Sequence, residues 1–137
     1  MTTGNIQESG IATLNRSQVL KGVQHFANKI AFSGVTTQTL VATDAILASE
    51  TNVIPVAGSG GAVTLTSTPT IANGDPWQVI LIVGTDNTNT VTIQDNSAIA
   101  SNVDLGGANV TLGNTDYLAL IFNDLNTEWE RLFSTNN

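Results

Sequence analysis

The sequence predicts an all-β fold: a β-sandwich or jelly-roll-like body preceded by an extended N-terminal arm. Three observations lead there. From residue 62 onward, short apolar-polar alternations and apolar runs follow one another with turn signals between them and no helical period. Such closely spaced short strands are the pattern of sandwiches, jelly rolls and barrels. Only 11% of the 137 residues are charged, against about a quarter in an ordinary domain. The surface must therefore be built mainly from Thr, Ser, Asn and Gly, which suits β-rich extracellular or virion proteins better than cytosolic enzymes.

The N-terminal stretch "MTTGNIQESGIATLNR" has neither a basic n-region nor an apolar h-region, so no cleaved secretory signal is expected. The first dozen residues read as a flexible arm. "SQVLKGVQHFANKI" fits a helix capped at Ser17, with Val19, Val23, Phe26, Ala27 and Ile30 on one face. Gly22 and the β-branched residues speak against it, and helix and strand stay open for residues 17–28. Residues 29–42 read as extended. Residues 1–45 are taken as arm and lead-in, and residues 46–137 as the β-rich body, with the glycine-rich "PVAGSGGAV" at 55–63 as a loop or hinge.

Within the body, "AVTLTS" alternates as a half-buried strand should. "ANGDP" is a turn, with Asn73-Gly74 supplying positive φ and Pro76 fixing the exit. "WQVILIV" is apolar nearly throughout, as where both faces are covered. Trp77, Val79, Leu81 and Val83 are accordingly expected in the core. "VGTDNTNTVTIQDN", residues 83–96, is expected to carry that strand through a hairpin into "TVTIQ". "VDLGGANVTL" reads as a second hairpin tipped by Gly106-Gly107. "YLALIF" adds Leu118, Leu120 and Phe122 to the expected core. "WERLF" adds Trp129 and can place Trp129, Arg131 and Phe133 on one face. That makes about seven strands from residue 62. Val-Thr-Leu/Ile recurs in "AVTLTS", "TVTIQD" and "NVTLGN", but at unequal spacing, so no solenoid period is read.

Composition and spacing narrow the chemistry. There are no cysteines, which removes disulfides, thiolate metal sites and cysteine nucleophiles. His25 is the only histidine, so a conventional zinc site has no ligand set. Asp86 and Asp95 are too far apart for a calcium loop, which needs acidic ligands at alternate positions and a closing glutamate. No nucleophile elbow is present. Neither "GSGGAV" nor "LGGAN" leads into a helix or a lysine, as a phosphate loop would. Net charge is −7 with four Lys and Arg, which gives no basic footprint for nucleic acid or an anionic membrane. The longest apolar run, Val79 to Val83, is far short of a membrane span. Glu128 and Glu130 share a strand face, a conceivable glycosidase pair that reads more simply as a solvent face. Trp77 and Trp129 are likewise core residues before they are a sugar platform. No cofactor and no enzymatic activity are expected.

The stretch "AVTLTSTPTIANGDPWQVILIVGTDNTNTVTIQDN", continued in "ANVTLGNTDYLALIFNDLNTEWERL", resembles a module of tailed-bacteriophage structural proteins. The shared elements are "PTIA-G--W/Q", a "LVGT-DTNTVTI-D" segment and "TLG--D-L-LI-D---W-E". They fall at Pro69 to Trp77, Leu81 to Asp95 and Thr111 to Glu130, over more than half the chain. "HFANKIAFSGVTTQTL" resembles the lead-in segments of phage fibre and decoration proteins. The resemblance implies a trimeric β-protein on a phage head or tail. The shortness of the chain favours a capsid decoration (cement) protein on the virion surface, bound to the major capsid protein of the same virus.

Residues 1–40 carry three of the four basic side chains and the only histidine, ahead of a strongly acidic remainder. Arg16, Lys21, His25, Phe26, Lys29, Ile30 and Phe32 are therefore the expected capsid contacts. The rival expectation is a tail-fibre or receptor-binding head domain that recognises a host-surface glycan.

Overall fold

The computed structural model describes residues 36–48 and 51–136. Among these residues there is no helix. Nine strands form two sheets: β1 (Gln38–Leu40), β2 (Val53–Gly58), β3 (Val63–Thr64), β4 (Val79–Gly84), β5 (Val91–Ile93), β6 (Val103–Asp104), β7 (Val110–Leu112), β8 (Tyr117–Asn123) and β9 (Glu128–Thr135). The large sheet has the order β1-β2-β4-β8-β9-β6, and the small one β3-β5-β7. Seven strands follow residue 62, the number the alternation predicts.

Alternation of side chains makes the core. β2 turns Ile54 and Val56 inward, and β4 turns Ile80 and Ile82 inward. Leu118, Leu120, Phe122 and Trp129 join them from β8 and β9. The small sheet and its flanks supply Leu65, Val91, Ile93, Val110 and Leu112. The result is a sandwich-like body, but its connections differ from those of consecutive hairpins. β1, β2 and β4 are mutually parallel, and so are β3 and β5. Val53 lies beside Leu81 and Val63 beside Val91, the same offset along the chain. The chain therefore coils: it lays a strand in the large sheet, crosses to the small one, returns, and repeats. Ile46 and Ile71 form a further parallel bridge in this coil.

Both expected hairpins are corrected by this topology. The 83–96 stretch does not fold β4 against β5; it carries the chain from the large sheet to the small one. "VDLGGANVTL" also changes sheets: β6 pairs with β9 in parallel, and β7 with β5 antiparallel. Gly106 and Gly107, at φ 77° and 93°, bend the chain across the edge of the sandwich. The three Val-Thr-Leu/Ile echoes are the three strands of the small sheet. Thr64, Thr92 and Thr111 lie side by side, with a 2.8 Å hydrogen bond between the Thr92 and Thr111 hydroxyls.

Two further boundaries move. β1 falls within the stretch assigned to the arm, yet it pairs with β2, so the body begins by Gln38 rather than at residue 46. In β9 the register slips opposite Ala119 and Leu120. Trp129 and Arg131 keep one face, and Phe133 is moved off it, so the three do not share a face.

Trp129 anchors the β8–β9 end. It is 0% exposed and its ring tilts against Phe122 at a centroid distance of 5.1 Å. Its indole N–H donates to the Ala72 carbonyl at 3.1 Å. Glycine is required at 74 because a Cβ there would stand 2.7 Å from the indole.

Candidate functional site

The expected core set divides in two. Leu118, Leu120, Phe122 and Trp129 are buried, whereas Trp77 is 54% and Val79 45% exposed. Leu81 and Val83 are half-buried. The reason is the period of two: Ile80 and Ile82 take the inward face, which leaves Val79, Leu81 and Val83 on the outer face of the large sheet. An apolar run fits a strand covered on both sides, but among the described residues only the inner side is fully covered.

The outer face is continuous across four strands. Register places Val53, Leu81, Ala119 and Phe133 in one row, and Pro55, Val83, Tyr117 and Thr135 in the next. Val79 and Ile121 start a third row, which ends at Glu130. Ala119 is small and sits between Leu81 and Phe133, so the face dips there. The dip is a groove of about 280 Å³ lined by Asn52, Val53, Val79, Leu81, Leu132 and Phe133, with Ile80 and Ala119 at its floor. Leu132 and Phe133 are each more than half exposed. No charged side chain lines the groove.

Beside this face stands Trp77. The turn Asp75-Pro76-Trp77-Gln78 closes with the Gln78 N–H on the Asp75 carbonyl at 2.9 Å. The Gln78 side chain fixes it, accepting from the Asp75 N–H and donating to the Ala48 carbonyl, each at 2.9 Å. Pro followed by a positive φ is the pattern of a type II turn, which ordinarily takes glycine at the third position. Trp77 holds that position at φ 62°, an uncommon conformation for a bulky side chain. Its own N–H donates to the Phe122 carbonyl, which ties the turn to β8.

The acidic side chains are engaged in holding loops. Asp95 is buried. One oxygen accepts from the Ser97 N–H and hydroxyl. The other accepts from the N–H groups of Leu105 at 2.7 Å and Gly107 at 3.0 Å. The Ser97 hydroxyl and these backbone donors overcome the cost of burial and hold its carboxyl down at about 2. Asp95 thus pins the end of β5 to the crossing after β6. Asp86 accepts from Asn89 and Thr88 in its own loop, which lowers its pKa. This answers the asparagine- and aspartate-rich stretch: its polar groups close a crossing loop.

Glu128 and Glu130 both accept from the Asn126 amide, at 3.0 and 3.2 Å. Asn96 and Asn123 add further donors, to Glu128 and Glu130 respectively. Trp129 between them faces the core, so no aromatic platform accompanies the pair. Among the described residues, no three His, Cys, Asp or Glu side chains cluster as a metal site would require. No described helix is long and apolar enough to cross a membrane. The expected contacts Arg16, Lys21, His25, Phe26, Lys29, Ile30 and Phe32 lie outside the described residues, as does the whole helix-or-strand segment 17–28.

Two strands apolar on both faces suggest, from sequence, that some apolar surface is buried between subunits, but not which side of the sheet carries it. The signal was present: "VIPVA", "VILIV" and "YLALI" put apolar residues on both alternate sets of positions. Comparison with protein-family models, with curated proteins and with solved structures finds no match for the chain.

Proposed function

We propose that this protein is a capsid decoration protein of a tailed phage: a homotrimer that binds the outside of the head through the major capsid protein and stabilises the shell. A ligand that binds only the assembled shell stabilises it by mass action, without chemistry. The observation that carries the reading is an apolar groove with no charged side chain in its lining on an otherwise acidic body. The described residues hold nine carboxylates and one basic side chain, Arg131, yet the groove is lined without any of them. An exposed apolar area of this kind marks an association surface. The resemblance of Pro69–Trp77, Leu81–Asp95 and Thr111–Glu130 to phage structural modules adds the virion context. The basic N-terminal residues Arg16, Lys21, His25 and Lys29, with Phe26, Ile30 and Phe32, serve in this reading as an arm that docks on the shell.

Co-sedimentation with tailed-phage heads stripped of accessory proteins tests it. Saturable binding, with added density on the outer shell in electron micrographs, is the expected result. Absence of binding to heads, together with attachment to tails or to host cells, would overturn it.

One observation favours a second reading, a receptor-binding head domain. Trp77 is exposed, as a ring that stacks on a sugar must be. Glycan binding that is lost on replacing Trp77 would select this alternative.

A further inference from the structure

We propose that Trp77 of one copy fills the apolar groove of a second copy, making these two features the knob and hole of the subunit contact. The inference deepens the homotrimer of the reading above and rests on that reading for self-association alone.

Three observations converge. The groove is about 280 Å³ and walled by Val53, Val79, Leu81, Leu132 and Phe133, a volume and lining suited to one large aromatic side chain. Trp77 is a half-exposed aromatic in a type II-like turn at φ 62°, where glycine is the ordinary occupant. A strained conformation at an exposed aromatic points to a role for that side chain, and Trp is among the residues enriched as anchors at protein interfaces. Charge allows a second copy as the occupant. Two copies of an acidic body repel wherever their carboxylates meet. The groove lining carries no carboxylate, although Glu130 ends a neighbouring row.

A sugar is a poorer occupant. Glycan sites surround the stacking ring with polar groups, and the Gln78 amide beside Trp77 already uses one donor on Ala48 and one acceptor site on Asp75.

Light scattering on the full chain, with two variants, tests the contact. Trp77→Ala removes the knob and Leu132→Asp charges the hole. Each is expected to weaken association by roughly 30-fold or more, the scale of a hot-spot residue, with the β circular dichroism retained. Mixing the two variants should restore part of the association, because the intact Trp77 of one meets the intact groove of the other. Trp129 is buried, so wild-type fluorescence should blue-shift with concentration through Trp77 alone, and Trp77→Ala should abolish that shift.

Association that survives Trp77→Ala, or a mixture no better than its parts, overturns the contact while leaving the homotrimer standing. A wild-type monomer at tens of micromolar overturns both. A monomer whose Trp77 fluorescence responds to oligosaccharides assigns the ring to a glycan instead. Shell binding is scored separately by co-sedimentation.

Discussion

Trp77 offers the sharpest check, because replacing it with alanine and with glycine should give an unusual order of stabilities. About half of the side chain is covered in the single chain. A tryptophan presents up to roughly 250 Å², so about 100 Å² of burial is at stake. At ~25 cal/mol per Å² that is at most about 2.5 kcal/mol, and nearer 2 once a compact unfolded state is allowed for. Trp77→Ala should cost about that. Trp77→Gly loses the same burial, but it also relieves the left-handed backbone, worth roughly 1–2 kcal/mol. Glycine's greater unfolded-state freedom returns roughly 0.5–1 kcal/mol of that. The glycine variant should therefore be more stable than the alanine variant by about 0.5–1 kcal/mol, the reverse of the usual order. Trp129→Ala, in the core, should cost about 3–5 kcal/mol. The assay is urea unfolding followed by circular dichroism, at concentrations low enough to exclude association, which would add its own stabilisation. An alanine variant that loses as much as the Trp129 variant, or a glycine variant below the alanine one, would refute the reasoning.

The Asp95 carboxyl is depressed from 3.8 to about 2 in the fold, so its contribution is complete above pH 3.8 and is lost as pH falls toward 2. Asp95→Asn should flatten that part of the acid-unfolding curve and cost roughly 2–3 kcal/mol near neutral pH, since an amide cannot accept from all the donors facing it; thermal melts between pH 2 and 6 read both. Gly74→Ala should destabilise by about 1–3 kcal/mol through overlap with the Trp129 indole, and Trp129→Phe should recover part of the loss in a double-mutant cycle. Removing residues 1–35, which spares β1, should leave the β circular dichroism of the body and abolish co-sedimentation with stripped heads; undiminished binding would remove the arm from the docking mechanism.

Much of this fold is legible in the sequence because strands announce themselves locally. Val63 against Thr64, or Val91 and Ile93 around Thr92, show their period directly, and every strand after residue 62 can be found that way. Which strands share a sheet is not local. β4 and β5 are neighbours in sequence with a turn-rich link, and nothing in that link says that it crosses the sandwich rather than folding back. The repeated Val-Thr-Leu/Ile runs did hold the answer for the small sheet. Their unequal spacing hid it, because β3 and β5 pair in parallel whereas β7 joins antiparallel, and the two kinds of pairing need not share a period. The candidate face was half legible. The apolar character of Val79, Leu81 and Val83 is plain, but their outward direction follows only from Ile80 and Ile82 taking the buried face. Trp77 differs for a similar reason: a large aromatic opening an apolar strand reads as core, but it lies in the turn before β4 and stays half exposed.

The common offset of β2 with β4 and of β3 with β5 also sets how this body can grow. One circuit of chain, residues 53 to 80, leaves the large sheet, visits the small one, and arrives beside its own starting point. A tandem duplicate of that circuit would meet the same partners on both sheets and bury the same Ile and Val positions, as added units do in stacked-repeat proteins. A single residue inserted within β5, between Val91 and Thr92, would instead slide the rest of that strand by one place against β3 and β7 and turn Ile93 out of the interior. Length in such a molecule comes in whole circuits, so duplication lengthens it where small insertions break it.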